Sequence, residues 1–438
     1  MAKRMGSLPF VAIIAGFACA IPAEAQTVSD PQDSKSNEGL FGDNRGPEGE
    51  EKEFSIDWRL SLGLQHLDNE ELDPDQTVRT GITPEARVDF TYRPDDDIEA
   101  YVSLELGVDF DRDDGSWSTS ERAELREAYL LIDDSIAKNV EFQIGRQDFE
   151  DGREWLYDER LDGVRLAYDH KDWRVEIGYG REELVPKDVF RGNPGRDKVD
   201  NFVLHVEYEV TSDWDIASYV LKQDDRRASN VSPLFFGIQS EGKIGSNFGH
   251  WFEFSLQRGT AGTRKLRGTA LDFGAIYYVP AASKPAIFAG YARGSGGGNA
   301  TTDRSFRQTG LQDNEDRITG LGNVKYYGEL LDPDLNNIEI FTAGLGIRPS
   351  ASSSLELVAH KYRQAKLDDD DIRGSSINPD LNGNSKDIGM EVDAILAVRL
   401  GGGLGMESKL GWFSPGKAFN APARADAFFG KLRLVYRF

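Results

Sequence analysis

Segments in which apolar and polar side chains strictly alternate recur along this chain, and they restrict its fold more than any other feature. In the first segment the apolar members are Phe54, Ile56, Trp58, Leu60, Leu62 and Leu64, and the polar members are Ser55, Asp57, Arg59, Ser61, Gly63 and Gln65. Successive side chains of a β-strand point to opposite faces, so such a segment has one apolar and one polar face. A soluble half-buried strand can show the same pattern, but a length of about 10 residues is what a tilted strand needs to cross a membrane.

The alternation predicts an all-β fold, a transmembrane antiparallel β-barrel of outer-membrane type with about 18 strands. The inward face is ambiguous for the predicted strands at 122, 214, 286 and 354. The predicted strands begin near residues 54, 82, 98, 122, 140, 161, 173, 201, 214, 234, 250, 267, 286, 337, 354, 387, 404 and 427.

The connections between these segments are of two kinds, as in outer-membrane barrels with short turns at one end and long loops at the other. Short turns are predicted at 93–97, 170–172, 210–213, 349–353 and 401–403. Long polar loops are predicted near 66–81, 110–121, 182–200, 224–233, 295–336, 365–386 and 414–425.

The two ends of the chain support the same interpretation. The last alternating segment ends on Phe438, and a terminal aromatic residue resembles the signal that barrel-insertion machinery reads. At the start, Lys3 and Arg4 precede an apolar run and small residues up to Ala25, which predicts a secretory signal peptide over residues 1–25. Residues 26–53 are predicted to form a flexible periplasmic segment, and residues 54–438 a single barrel domain. The alternatives are a retained N-terminal anchor and a lipoprotein attached through Cys19.

The formal net charge of −24 argues against nucleic acid as a partner. Removing residues 1–25 takes away Lys3, Arg4 and Glu24, a net +1, and leaves about −25. The acidic runs at 95–97, 109–114 and 368–371 are predicted to be solvated loops, with calcium binding as the minority alternative, because no calcium-loop pattern accompanies them. No cofactor or metal is predicted.

Three groups of motifs resemble the alginate-export family of outer-membrane porins. The first is Gly145-Arg146-Gln147-Asp148-Phe149 followed by a Trp-containing, arginine-rich stretch over 152–165. The second comprises 306–314 and 328–337, and the third comprises 360–364 and 386–393. Their order and spacing fit over roughly residues 50–438, nearly the whole predicted mature chain.

This resemblance implies an 18-stranded barrel that passes an anionic polysaccharide, an alginate-like polyuronate, outward through an arginine-rich constriction. The substrate-binding and pore-lining residues that it implies are Arg59, Arg87, Arg126, Arg146, Arg153, Arg160, Arg165, Arg307, Arg363 and Arg433. Guanidinium groups suit this role because they bind carboxylates bidentately. The expected partners are outer-membrane lipid, the polysaccharide or another small solute, and periplasmic export components.

Two other functions stay open at this stage. Inward acidic residues are numerous, which fits a general or cation-preferring porin for small solutes. A barrel phospholipase is a remote alternative, because the chain contains five histidines but no recognised hydrolase motif. We therefore predict a channel and not an enzyme.

If the alternation reflects a membrane barrel, the purified protein should require detergent, give a β-rich circular dichroism spectrum, and migrate faster on a gel unheated than boiled. A predominantly helical spectrum, or ready solubility without detergent, would exclude the barrel.

Overall fold

The computed structural model describes residues 53–73, 78–188, 199–226 and 230–438. The predicted signal peptide (1–25) and all of the predicted N-terminal segment (26–53) except Glu53 lie outside these residues and stay predictions. No helix in the described ranges is long and apolar enough to cross a membrane.

The described chain forms one closed barrel of 18 antiparallel strands, as predicted. In chain order, β1 to β18 are Phe54–Asp68, Val78–Asp95, Ile98–Asp113, Ser116–Asp133, Val140–Glu150, Asp158–His170, Trp173–Arg181, Val199–Thr211, Trp214–Asp225, Val231–Ile244, Phe248–Ala261, Thr269–Tyr278, Ala286–Gly294, Ile338–Ser350, Ser353–Gln364, Asp387–Gly401, Leu404–Pro415 and Ala427–Arg437. Five further short paired segments lie between strands, at Arg264–Leu266, Gly298–Asn299, Thr302–Asp303, Glu315–Asp316 and Val324–Lys325.

Each strand pairs with its neighbour in sequence, and β18 pairs with β1 from Arg437 opposite Arg59 to Phe428 opposite Asp68. The barrel therefore has no free first or last strand. Closure leaves no sheet edge whose backbone groups lack partners, which is what a hydrocarbon environment requires.

The outer face of the barrel is apolar. In β1 the even-numbered side chains Ile56, Trp58 and Leu60 are exposed, whereas Asp57 and Arg59 point to the lumen and are half-buried. The same alternation continues around the barrel. This exposed apolar band is the surface that lipid covers in an outer-membrane protein.

The end of the barrel with short connections is called the turn end here, and the opposite end the loop end. The prediction of a long loop at 110–121 was wrong. Strands β3 and β4 continue through these residues and are joined by a two-residue turn. Asp114 and Gly115 both have positive φ, 44° and 89°. Asp-Gly is a preferred sequence for such a tight hairpin turn, and the acidic run hid it.

The wall is least regular between β4 and β5. These strands pair only from Ala128 opposite Arg146 to Asp133 opposite Glu141, although β4 continues far beyond this point towards the loop end. Above it, the backbone of Leu125 bonds to Lys187 of the β7–β8 connection. We call this region the seam: the loop-end part of β4, the start of the β7–β8 connection (182–188), and the facing ends of β5 and β6.

The loop-end connections fold into the barrel. The β5–β6 loop (151–157), the β13–β14 loop (295–337), the β15–β16 loop (365–386) and the β17–β18 loop (416–426) bury their apolar side chains against the inner wall. Trp155, Phe306, Leu331 and Phe419 are fully buried. We call this packed set of loops the inner loop core.

The β1–β18 closure can be tested with paired cysteines, because residues 54–438 contain none. Leu62 lies opposite Leu434, so L62C/L434C should form a disulfide in the folded barrel. The matched control is L62C/M406C, since Met406 lies one strand further on, about 10 Å from β1. Equal crosslinking of both pairs would contradict the register.

Candidate functional site

The inner wall of the barrel has two contrasting sectors. From β9 to β17 most inward side chains are buried beneath the inner loop core, including Glu253, Ser255 and Glu356. On β18, β1 and β2 most inward side chains stay partly exposed, including Asp57, Arg59 and Lys431. Solvent in the lumen therefore contacts the β18–β2 sector far more than the β9–β17 sector.

Asp272 on β12 attaches two loops to the wall. Its Oδ2 accepts a hydrogen bond from the Tyr327 hydroxyl (2.9 Å) and lies 3.4 Å from the Arg153 guanidinium. Its Oδ1 accepts a hydrogen bond from the Trp251 indole (2.8 Å). Arg153 also lies over the Tyr326 ring, 4.3 Å from its centroid. These contacts satisfy two buried charges at once, as burial requires.

A second attachment is made by Glu391 on β16. Its carboxylate accepts hydrogen bonds from the backbone amides of Leu330 (2.7 Å) and Leu331 (3.0 Å) and from the Tyr362 hydroxyl (3.0 Å). These bonds fix the β13–β14 loop against the wall, because the carboxylate provides acceptors for backbone N–H groups that have no sheet partner.

The β5–β6 loop is closed by Asp151, whose Oδ1 accepts the backbone amides of Leu156 and Tyr157 at 2.9 Å each. In the same loop, burial and the neighbouring acids, Asp158 first among them, raise the pKa of Glu154 to about 10. Glu154 is therefore protonated at neutral pH, which removes one negative charge from this loop.

A row of arginines crosses the exposed sector. Arg59 on β1 lies directly opposite Arg87 on β2 and Arg437 on β18, and all three point to the lumen. Side chains at such cross-strand positions have Cβ atoms about 5 Å apart. We use the name arginine wall for this row together with its neighbours: Arg59, Arg87, Arg126, Arg433 and Arg437.

The arginine wall is interleaved with acids. Arg87 Nε is 2.7 Å from Asp89, and its Nη2 donates to the Tyr101 hydroxyl (2.9 Å). Arg126 contacts Glu105 at 3.0 Å. The wall is therefore cationic by composition but already engaged in ion pairs.

At the seam, Arg160 Nε lies 3.6 Å from Glu127 of β4, and its Nη2 lies 3.7 Å from Asp148 of β5. These distances exceed those of well-formed charge-assisted hydrogen bonds. Arg160 therefore joins the two sides of the seam only loosely.

Arg122 extends this network through a gap that a glycine leaves. It lies opposite Gly107 on β3, and its guanidinium passes over that glycine to reach Glu85 on β2. A Cβ at position 107 would stand 2.8 Å from the guanidinium carbon, so any other residue there would require the Arg122 side chain to shift. Arg122 also binds Asp109 at 2.7 Å.

The ten predicted site residues do not all lie together. Arg59, Arg87, Arg126 and Arg433 belong to the arginine wall, and Arg160 lies beside it at the seam. Arg165 lies on the inner face of β6, 2.6 Å from the Gln143 amide oxygen.

Two more of them lie in the inner loop core and not in the exposed sector. Arg153 is held by Asp272, and Arg307 is held by Asp303 at 2.6 Å.

Two predicted site residues are on the outer face of the barrel. Arg363 is exposed and has the same parity as the lipid-facing Leu357. Arg146 has the outward parity of Ile144 but is buried, because Val185 of the β7–β8 connection covers it. Neither side chain points into the lumen, so neither lines it in this arrangement.

Arg146 stabilises the seam through an ion pair and hydrogen bonds to the backbone. Its guanidinium binds Asp162 at 2.7 Å and donates to the Leu125 carbonyl (2.8 Å) and the Val185 carbonyl. Asp162 in turn accepts the amides of Leu184 and Val185. The ion pair thus supplies hydrogen bonds that a continuous β4–β5 ladder would otherwise make.

The site residues predicted from the sequence did not include Arg122, Arg437 or Asp272. Arg437 shares the inward period of Arg433, so the alternation itself could have identified it. Asp272 could not be identified in this way, because its role depends on loops 119 and 55 residues away along the chain.

A serine–histidine contact bears on the hydrolase alternative. Ser240 Oγ and His250 Nε2 are 2.9 Å apart on the outer face near the turn end. However, Ser240 Oγ also accepts the Trp214 indole N–H, and no carboxylate in the described residues contacts His250. The acid that orients the base in serine hydrolases is missing, so the geometry gives this alternative no support.

Comparison with known proteins agrees with the barrel and its sequence motifs. The family described as Alginate export matches residues 59–428 of the chain. The chain belongs to the alginate export family. Part of the chain is also similar to the alginate production protein AlgE of Pseudomonas aeruginosa. The two are 38% identical over 108 residues, which make up 24% of this chain and 22% of that protein.

Solved outer-membrane proteins of Pseudomonas aeruginosa share the fold. OprD is 13% identical with a TM-score of 0.57, covering 89% of this chain and 95% of that one. OccK8 (OprE) is 14% identical with a TM-score of 0.58, covering 88% and 98%. The chain is thus a bacterial outer-membrane β-barrel of the alginate export family with a porin-like fold.

The Arg153–Asp272 attachment can be tested with a double-mutant cycle. Arg153→Met and Asp272→Asn each leave one buried charge without its counterpart, so each should lower the free energy of unfolding by about 3–5 kcal/mol. The double variant should lose clearly less than the sum of the two, because it removes both charges. Urea unfolding in liposomes measures this; strictly additive losses would contradict the attachment.

Proposed function

We propose that this protein exports an anionic polysaccharide, an alginate-like polyuronate, across the outer membrane along the arginine wall. The observation that carries the proposal is the row formed by Arg59, Arg87 and Arg437 on three adjacent strands. Arg59 and Arg437 are partly exposed in the part of the lumen that the inner loop core leaves accessible, and Arg87 is buried beside them, only 5% exposed. Family membership and the partial similarity to AlgE support the same substrate class.

The chemistry of the arginine wall suits a polymer that must bind weakly at each arginine in order to pass through the channel. A guanidinium group binds a uronate carboxylate with two parallel hydrogen bonds, which gives specificity for that group. Here the arginines are already bound to wall carboxylates such as Asp89 and Glu105. An incoming uronate exchanges with these internal partners, so binding is weak at each step and the chain can slide from one arginine to the next.

The overall charge of −24 does not oppose this transport at short range. Charges on the outer rim and loops are screened over about 10 Å at 0.1 M salt. Within the lumen, neighbouring groups control the potential felt by a bound carboxylate. The local density of guanidinium groups on β18, β1 and β2 therefore matters more than the total.

The second candidate function is that of a general or cation-preferring porin. Its main support is the acidic residues of the same wall, which attract cations. Asp89, Glu105 and Glu127 lie within 4 Å of its arginines, and Glu85 is bound by the neighbouring Arg122. Outward direction of transport and a role for periplasmic export components belong to the proposal as well, and follow only from the family.

Planar-bilayer recording distinguishes these functions. The wild-type channel should be anion-selective, and oligouronates should block its current at low salt. The variant R59E/R437E, at the two partly exposed members of the row, should weaken that block at least roughly tenfold, because two charge-assisted interactions are lost and two repulsions are gained. Neutral oligosaccharides of equal length should block neither channel.

The matched control is R112E/K171E, which makes the same change in net charge at two exposed positions away from the wall. It should keep the wild-type block. A cation-selective wild-type channel that oligouronates leave unchanged would contradict the proposal and favour the porin.

A further inference from the structure

Five cations face outward at the loop end between β9 and β15. We call them the basic belt: Lys222, Arg258, Arg293, Lys361 and Arg363. They lie on β9, β11, β13 and β15, which all run towards the loop end, and each has the parity of the lipid-facing side chains of its strand. The belt therefore lies at the rim where the apolar outer face meets the extracellular side.

The belt carries an excess of positive charge on a protein whose net charge is −24. Its outward acidic neighbours are Asp224, Glu339 and Asp387. Glu339 lies opposite both Arg293 and Arg363, and its carboxylate is 3.5 Å from the Arg293 guanidinium. Arg293 and Lys361 keep 50% and 46% of their side-chain surface exposed.

An aromatic surface lies directly beneath the belt on the same face. The Tyr291 ring packs at a tilt against the rings of Phe341 (4.9 Å between ring centroids) and Phe273 (5.8 Å). The Tyr291–Phe341 pair is the next outward pair below Arg293 and Glu339. Phe273 and Phe341 are exposed to the surroundings of the barrel.

This arrangement matches the two parts of a lipid: the cations suit an anionic headgroup, and the exposed aromatic rings below them suit the acyl chains. Arginine and lysine at a membrane surface attract anionic headgroups, and arginine binds phosphate with its planar fork. Aromatic rings at the interface contact the upper acyl chain and the headgroup region. Simple snorkelling of side chains explains single cations at a rim, but not five on four successive upward strands that have only three outward acids beside them in the described part of the chain.

We propose that the basic belt and the aromatic surface below it bind a phosphate-bearing lipid of the outer leaflet. The phosphate groups lie against Arg293, Lys361 and Arg363, and the acyl chains lie along Tyr291 and Phe341. This site is independent of the lumen and of the solute that crosses it.

Native mass spectrometry of the detergent-solubilised protein tests the site. The probes are a diphosphorylated acyl glycolipid and the same glycolipid after enzymatic dephosphorylation. The wild type should retain the phosphorylated lipid at least roughly tenfold better, because each cation near the surface contributes to anionic lipid binding. Equal retention of the two lipids overturns the proposal.

The variants R293E/R363E and R293Q/R363Q should both lose this preference, the charge reversal more completely. Both positions are exposed, and faster migration unheated than boiled checks that each variant is folded. The control R112E/K171E matches the charge change of the first variant and should retain the wild-type preference. A preference that survives in both belt variants, or is lost equally in the control, also overturns the proposal.

Discussion

Backbone polar groups cannot be left unpaired in hydrocarbon, and the rest of this structure depends on that constraint. It requires a closed ring of strands, which the pairing of β18 with β1 completes. It also separates the side chains into an apolar outer set and a polar inner set, because strand geometry allows nothing else. The location of every charged group is then decided by its parity and by its distance from the two ends of the barrel.

The seam shows the constraint where the ladder is interrupted. β4 and β5 separate above Arg146, and the unpaired backbone is satisfied by the Leu125–Lys187 bond and by the Arg146–Asp162 pair. A buried ion pair on the outer face would be costly in isolation. Here both partners use their remaining hydrogen-bonding capacity on backbone groups of the covering connection, which gives the pair a role other than solute binding.

Inside the barrel, the loops divide the lumen. Asp272 and Glu391 fix them to one side of the wall, where apolar residues such as Trp155 and Leu331 bury their surface. The opposite side keeps its polar side chains accessible. The arginine-lined path on this side therefore has two causes. The arginines lie on its strands, and the loops pack against the other side and leave this one uncovered.

Much of this could be predicted from the sequence, because period-2 alternation reports strand faces directly. The closed 18-stranded barrel and four members of the arginine wall, Arg59, Arg87, Arg126 and Arg433, followed from it. Arg363 was expected in the lumen from the family resemblance alone, and its strand parity places it on the outer face at the loop-end rim.

Parity arguments fail where the ladder changes. A β-bulge between Ser103 and Leu104 shifts the inward face within β4, so one period does not describe that strand. Arg146 keeps the outward parity of Ile144, and its expected place in the lumen came from the family resemblance. The role of Asp272 depends on contacts between distant loops, which no local pattern encodes.

The most direct test of the divided lumen uses cysteine accessibility in a recorded channel, since residues 54–438 have no cysteine of their own. Ser61 lies on the inner face of β1 beside the arginine wall, and Ser255 lies on the inner face of β11, fully buried under the loops. We expect an anionic methanethiosulfonate reagent to reduce the current through S61C within seconds and to leave S255C unchanged. Rapid modification of S255C together with an unreactive S61C would contradict the account.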